Sequence, residues 1–439
     1  MKKRRKISYQ KIFCAISFLF ILGCILFYGI RFIMLYIENN TTDIESITNL
    51  SKRVTAEHAN QSYFKNINSN YYFVGDTDKN YVKYKNITWR IVKITNNNST
   101  VLISDEPLTS LAFGSNTYEE SPITDWLNET NNEQSGILTN AIGSDYLTNT
   151  NACIDTLDNT KNITCDDIYD EYQISLLSMF DYANAGSSDS YINNGYYTYL
   201  SNTNNDNEVW YIDDEGKLNT SNGTDIYSIK PVITLNSTVE LIEGEGTKDN
   251  PYQIEKENDL FASYVKLDND LWRIYNIEDN NLKLVLTDYL KTDDENYQTI
   301  YSSTTSFHND EKVGTLAYYL NNTYFNRLNY SDQILNNYWS NGYYSSENNF
   351  DYTEALDKEV DTEIALLSIG DINLVPSLDE FFLSTGLNNF DNKIYVYNND
   401  GTITDQRVTS KANVVPTISI DKNILTKGTG TIDDPYGME

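Results

Sequence analysis

The sequence runs to 439 residues, with 32 Lys and Arg against 63 Asp and Glu and a formal net charge of −31. Apolar residues make up 40% and Tyr alone numbers 36, enough for two or three buried cores, which excludes an acidic disordered tail. Nucleic acid is excluded as a partner, because binding it needs a clustered basic face and here acids outnumber bases about two to one. The two histidines, His58 and His308, lie far apart, which sets aside Ser-His-Asp catalysis and His-based zinc chemistry. The sequence has no GxxxxGKS/T loop and no GxGxxG opening a helix, so no cofactor is expected.

In chain order the first feature is a basic tail, 1–11, carrying six Lys and Arg and no acid. Residues 12–30 follow without a charge, then Arg31 and a further apolar run, FIMLYI. The length meets the minimum for crossing about 30 Å of hydrocarbon, so a transmembrane helix is predicted over 12–36. The basic flank then places the N-terminus in the cytoplasm and the bulk of the chain outside, a single-pass plasma-membrane signal-anchor with the membrane as partner. A cleaved signal peptide and a lipoprotein site at Cys24 are the rival readings. They fit less well because the apolar run exceeds roughly 15 residues and continues past Cys24.

Residues 37–68 read as a juxtamembrane stalk. Thr42 and Glu45 have capping-box spacing, and Ile44, Ile47, Ser51 and Val54 step along one helix face.

The remainder is one domain written twice, 69–254 and 255–439. YVKYKNITWRIV from Tyr81 is answered by YVKLDNDLWRIY from Tyr264, an offset of 183 that the following strands, TVLISD and LKLVLTD, are read as keeping. Trp126-Leu127-Asn128 then matches Tyr319-Leu320-Asn321, ISLLS at Ile174 matches IALLS at Ile364, and IKPVITL at Ile229 matches VVPTISI at Val414. GEGTKDNPY at Gly244 and GTGTIDDPY at Gly428 close the two copies. Strand patterns at both ends with helical spacing around the WLN and LLS segments predict an α+β fold, two homologous domains of mixed or antiparallel sheets with short helices. Alternation along a strand sends Trp89 and Trp272 into the core, and Arg90 and Arg273 toward solvent or an acid.

Taken together, the YVKYKNITWRIV, WLN, LLS, KPVI and GTGTxxDPY segments resemble domain-of-unknown-function repeats carried by exported proteins of low-GC Gram-positive bacteria. The resemblance covers about 70–439 and implies surface exposure without an established activity. The family's usual Arg before Pro is Lys230 in one copy and Val415 in the other. More remotely, the late aromatic-x-Ser, Gly hairpin and closing strand are similar to C-type-lectin-like and sulfatase-modifying-factor-like folds.

Cys153 and Cys165 are the only cysteine pair beyond the apolar segment, and their short separation in an oxidising exterior predicts a disulfide. Asp76, Asp78 and Asn80 alternate like a calcium loop, but Tyr81 and Ile87 stand where Gly and Glu are required, so no metal site is predicted. Two stretches rich in Tyr, Asn, Ser and Gly have the chemistry of binding loops. They nominate Tyr196 and Tyr197, and Tyr338, Trp339, Tyr343 and Tyr344, as ligand-binding residues, with packing of the domain's own core as the competing role. The functional expectation is a membrane-anchored surface protein displaying two ligand-binding or adhesion domains for a glycan or surface protein, without catalysis. The alternatives are a carboxylate-dependent cell-wall or glycan-processing enzyme, and a structural or sensory ectodomain.

Overall fold

The computed structural model describes residues 26–29, 31, 44–255, 259–292, 295–302, 307, 313–345, 352–387 and 392–438. Residues 1–48 form one unit, of which a helical stretch at 26–29 and a 3₁₀ turn at Ile44–Ser46 are described. Residues 49–439 form the other.

A hairpin, β1 (Phe64–Ile67) and β2 (Asn70–Phe73), straddles the start of the first repeat, its first strand drawn from the segment read as stalk. Then come β3 (Tyr81–Tyr84), β4 (Ile87–Ile94), β5 (Thr100–Ser104) and β6 (Thr109–Ala112). Lys85 and Asn86 both take positive φ, the two-residue turn that lets β3 and β4 follow sheet twist. Short strands β7 (Leu147–Thr148), β8 (Ala152–Cys153), β9 (Ile168–Tyr169) and β10 (Ile174–Ser175) occupy the middle. A later group, β11 (Thr198–Thr203), β12 (Val209–Ile212), β13 (Leu218–Ser221) and β14 (Ile226–Ile229), precedes β15 (Val232–Leu235) and β16 (Tyr252–Gln253).

The second repeat begins with β17 (Tyr264–Leu267), β18 (Asp270–Glu278) and β19 (Asn281–Leu286). A small hairpin, β20 (Lys291–Thr292) and β21 (Glu295–Asn296), leads into β22 (Gln298–Ile300). The middle holds β23 (Asn337–Ser340), β24 (Tyr343–Tyr344), β25 (Glu359–Thr362) and β26 (Ile364–Leu366). The end holds β27 (Phe381–Leu387), β28 (Lys393–Tyr397), β29 (Ile403–Arg407), β30 (Lys411–Asn413), β31 (Pro416–Asp421) and β32 (Tyr436–Gly437).

The two repeats share one topology. In the first, β16, β3, β4, β5, β15 and β10 lie side by side; in the second, β32, β17, β18, β19, β31 and β26 do so in the same order. Even the irregularities recur: β4 bulges against β5 between Ile91 and Lys93, and β18 against β19 between Ile274 and Asn276. The later strands form a second sheet in each repeat, and the two are joined where β14 meets β29 at Ile226 and Ile403, giving one sheet of 11 strands. The offset of 183 holds through the Trp-Arg strands but not beyond. Trp89 faces Ser104 while Trp272 faces Leu286, so the next strand is offset by 182, because the second repeat spends one residue fewer on the turn. Asp105 therefore corresponds to Thr287.

The α+β expectation is corrected here. Strand accounts for 36% of the described residues and helix for 16%, so the fold is β-rich with several sheets. The ISLLS and IALLS segments, read as helical, begin as strand β10 and strand β26, and their remaining residues are not helical; Ser178 then caps the helix Met179–Ala185. The Asn of each WLN-type motif decides this. Asn128 donates to the Ile174 carbonyl (2.9 Å) and accepts from its N–H (3.1 Å), and Asn321 does the same to Ile364 (2.9 and 2.8 Å). Two backbone groups are thereby satisfied at a sheet edge by an amide that mimics a strand.

The membrane anchor, and with it the plasma-membrane, signal-anchor and single-pass assignments, is also corrected. A span needs about 20 apolar residues in one helix. Among the described residues no helix is long and apolar enough to cross a membrane. The segment 12–36 lies outside the described residues apart from the helical Leu26–Gly29 and Arg31.

Each repeat is closed by its Gly-Thr-x-x-Asp/Asn-Pro-Tyr turn. The carbonyl of Gly246 accepts from Tyr81 N–H and that of Gly430 from Tyr264 N–H, both at 2.8 Å, which seats β16 beside β3 and β32 beside β17. Gly244 and Gly428 take φ of +105° and +86°, and a Cβ on either would overlap the carbonyl oxygen of Pro251 or Pro435. Only glycine fits both demands.

Trp89 and Trp272 are fully buried. Arg90 is buried as well, 5% exposed, donating to Asn80 Oδ1 (2.7 Å), to the Thr77 carbonyl and to Asp105 (3.3 Å), with Tyr81 and Tyr191 on its faces. Arg273 instead donates to the carbonyls of Ala262, Leu374 and Asn86, tying the second repeat to the first-repeat hairpin turn. Trp126 and Ser110 cross the same boundary, to the carbonyls of Gly370 (2.7 Å) and Gly401 (2.6 Å).

Helix Leu50–His58, capped by Asn49, buries Leu50, Val54 and His58 against the first repeat. The His58 ring nitrogens lie 3.2 Å from the hydroxyls of Tyr63 and Tyr252, beside Glu57. Burial lowers the His58 pKa; Glu57 works against that and Lys79 with it. A histidine whose folded pKa is depressed contributes stability above its ordinary value near 6.5 and loses it as pH falls through the folded value. Chemical unfolding between about pH 7.5 and 5 should show the parent losing stability relative to His58→Gln. Parallel curves would contradict the assignment.

Candidate functional site

The first repeat carries a cavity of about 410 Å³ at the end of its first sheet, lined by β2, β4, β5, β15 and the segment 148–153. At its base Lys93 Nζ donates to Asp181 Oδ1 at 2.6 Å, and Tyr72 Oη donates to the same oxygen at 2.7 Å. Three elements place this trio. Tyr72 and Lys93 are direct cross-strand partners of β2 and β4. Asp181 is the third residue of helix Met179–Ala185, where the N-cap Ser178 hydroxyl accepts its N–H at 3.1 Å. Both charged side chains are about nine-tenths buried, 12% and 7% exposed, so the pair is shielded from solvent screening. Burial, then the Asp181 charge, pushes the Tyr72 hydroxyl far above its ordinary value, so it stays a donor.

The walls are polar. Thr150 donates to the Gln173 carbonyl (2.7 Å) and meets Thr234 at 3.1 Å, while Asn96, Asn97 and Asn149 stand at the rim. One side is the Cys153–Cys165 disulfide, with Cα atoms 5.1 Å apart. Asp181 is the single carboxylate among the lining residues.

The second repeat has a cavity of about 510 Å³ at the corresponding place. Asp371 stands where Asp181 does, three residues after LLS, and its Oδ2 accepts the Ser368 N–H at 2.7 Å. Asn276 replaces Lys93, and a lysine comes instead from the neighbouring strand: Lys283 pairs with Glu278 at 2.7 Å and lies over the Trp339 ring at 5.2 Å. Burial pushes the Asp371 carboxyl up to about 6, against the Ser368 bond and Lys283. Glu133, Glu278 and Glu359 complete an acidic lining, with Ile137, Ile277, Tyr338 and Leu356 as its apolar part.

The six nominated aromatics are distributed between interior and rim. Trp339 is 2% exposed and donates to the Thr362 carbonyl at 2.8 Å; Tyr344 is fully buried and its hydroxyl accepts the Ala112 N–H at 3.2 Å. Tyr196 is buried too. Tyr197 is half-buried against Tyr211 and Tyr227, and half-buried Tyr343 lies under Lys358. Tyr338, 59% exposed, lines the second cavity. Tyr72, Lys93 and Asp181 were not singled out from sequence, although the Asp three residues after each LLS recurs in both repeats and is visible there. Among the described residues no group of three or more His, Cys, Asp or Glu is placed to hold a metal ion. Compared with protein-family models, curated proteins and solved structures, the chain matches none.

Proposed function

We propose that this chain is a ligand-binding protein of the adhesive type, and that the first-repeat cavity takes a neutral saccharide. The observation that carries the reading is the Tyr72–Lys93–Asp181 trio at the base of a cavity ringed by Asn and Thr amides and hydroxyls. A polyhydroxylated ligand needs such paired donors and acceptors, already oriented by their own bonds, so that little ordering is left to the moment of binding. Carboxylate-dependent hydrolysis needs two facing carboxyl groups, and this cavity is lined by one.

A glycan array probed with the purified chain, followed by product analysis, tests this. Binding without product is expected, weakened about tenfold or more by Lys93→Met and by the exposed-rim variant Asn96→Ala. No saccharide bound by the parent, or saccharide bound by both variants as tightly as by the parent, would remove the site.

A further inference from the structure

The two repeats differ at one strand edge. In the first, β4 pairs with β3 along its first half and with β2 along its second, Tyr71 facing Ile94 and Tyr72 facing Lys93. In the second, β18 pairs with β17 along its first half, but among the described residues no strand covers the corresponding stretch, Asn276–Glu278. The reason is in the chain. The described residues at the sequence position of the β1–β2 hairpin, 247–255, hold the turn and β16 that close the first repeat. Asn276, Ile277 and Glu278 are exposed, and the Ile277 N–H is taken up by the Asn276 side chain at 2.8 Å. The 510 Å³ cavity lies alongside, walled opposite by residues 133–141 of the first repeat.

We propose that the open edge of β18 at Asn276–Glu278 is a strand-addition site, and that its occupant is an extended peptide carrying a tyrosine and a basic side chain. The first repeat supplies the template. There the added strand brings the Tyr72 hydroxyl to Asp181, and Lys93 neutralises that carboxylate. In the second repeat, among the described residues, no tyrosine hydroxyl or lysine is hydrogen-bonded to Asp371: Asn276 replaces the lysine, and Lys283, which favours the Asp371 charge from nearby, pairs with Glu278. An incoming strand supplies both missing groups at once, its tyrosine opposite Asn276 and its cation among Glu133, Glu359 and Asp371. Main-chain bonds to an exposed edge give affinity, and the acidic cavity gives the choice of side chain.

The probe is a synthetic peptide of the Phe64–Phe73 sequence, FKNINSNYYF, titrated calorimetrically into the full chain. Saturable one-to-one binding is expected. Ile277→Pro removes the edge N–H, and Glu359→Lys reverses an exposed charge at the cavity; each should weaken binding about tenfold or more. If Ile277→Pro melts below the parent, Glu359→Lys decides. Failure of the peptide to bind the parent, or binding of undiminished strength to Glu359→Lys, would overturn the proposal. Saccharide binding in the first repeat is read separately and does not depend on the outcome.

Discussion

Replacing Trp339 by Ala should lower the unfolding free energy by about 3–5 kcal/mol, the cost of removing a fully buried indole. Trp339 is 2% exposed, its N–H donates to the Thr362 carbonyl (2.8 Å), and its face carries the Lys283 ammonium. The variant thus leaves a cavity, an unpaired buried carbonyl and a lysine without its aromatic surface. Equilibrium denaturation measures this directly. Trp339→Phe, which keeps most of the volume, should recover more than half the loss. An Ala variant that melts with the parent would place Trp339 outside the core, contrary to its burial.

Asn128→Ala and Asn321→Ala should each cost about 2–5 kcal/mol, since each strands a buried N–H and a buried carbonyl of the facing strand. The bonds at stake are the pairs to Ile174 and to Ile364. Asp at either position keeps the acceptor but loses the donor, and should fall between parent and Ala. Because the two amides occupy the same place in each repeat, similar losses are expected from both; a loss from one alone would mean that the repeats do not share the clamp. Amide exchange at Ile174 and Ile364 gives a second readout, with protection falling most at the residue whose clamp is removed.

The clamp also shows what a sequence makes legible. The WLN-type motifs and the LLS segments were visible as recurring words, because a side chain that must reach a fixed backbone group tolerates little change. Their conformation was not visible. ISLLS has helical spacing, and only the distant Asn128, 46 residues earlier, makes it a strand. Trp89 and Trp272 were readable as core residues from alternation alone, whereas Arg90, next to Trp89, is buried through partners at Thr77, Asn80 and Asp105 that no local pattern announces.

The candidate site was hidden for the same reason. Lys93 and Asp181 are 88 residues apart and meet only because β4 and helix Met179–Ala185 converge. Composition drew attention instead to the Tyr-rich stretches, where Trp339, Tyr344 and Tyr196 are buried and Tyr338 is exposed. The open edge of β18 is likewise a property of pairing: its sequence is as strand-like as that of β4, and what it lacks, among the described residues, is a neighbour.

The central claim, that the first-repeat cavity is the saccharide site, is tested most directly by hydrogen–deuterium exchange of the full chain with and without a saturating array-selected oligosaccharide. The account predicts added protection in three segments far apart in sequence, residues 93–101, 148–153 and 174–181, which converge beside β15 as walls of that cavity. Protection confined to the half-buried cluster of Tyr197, Tyr211 and Tyr227, or none in those three segments, would contradict it.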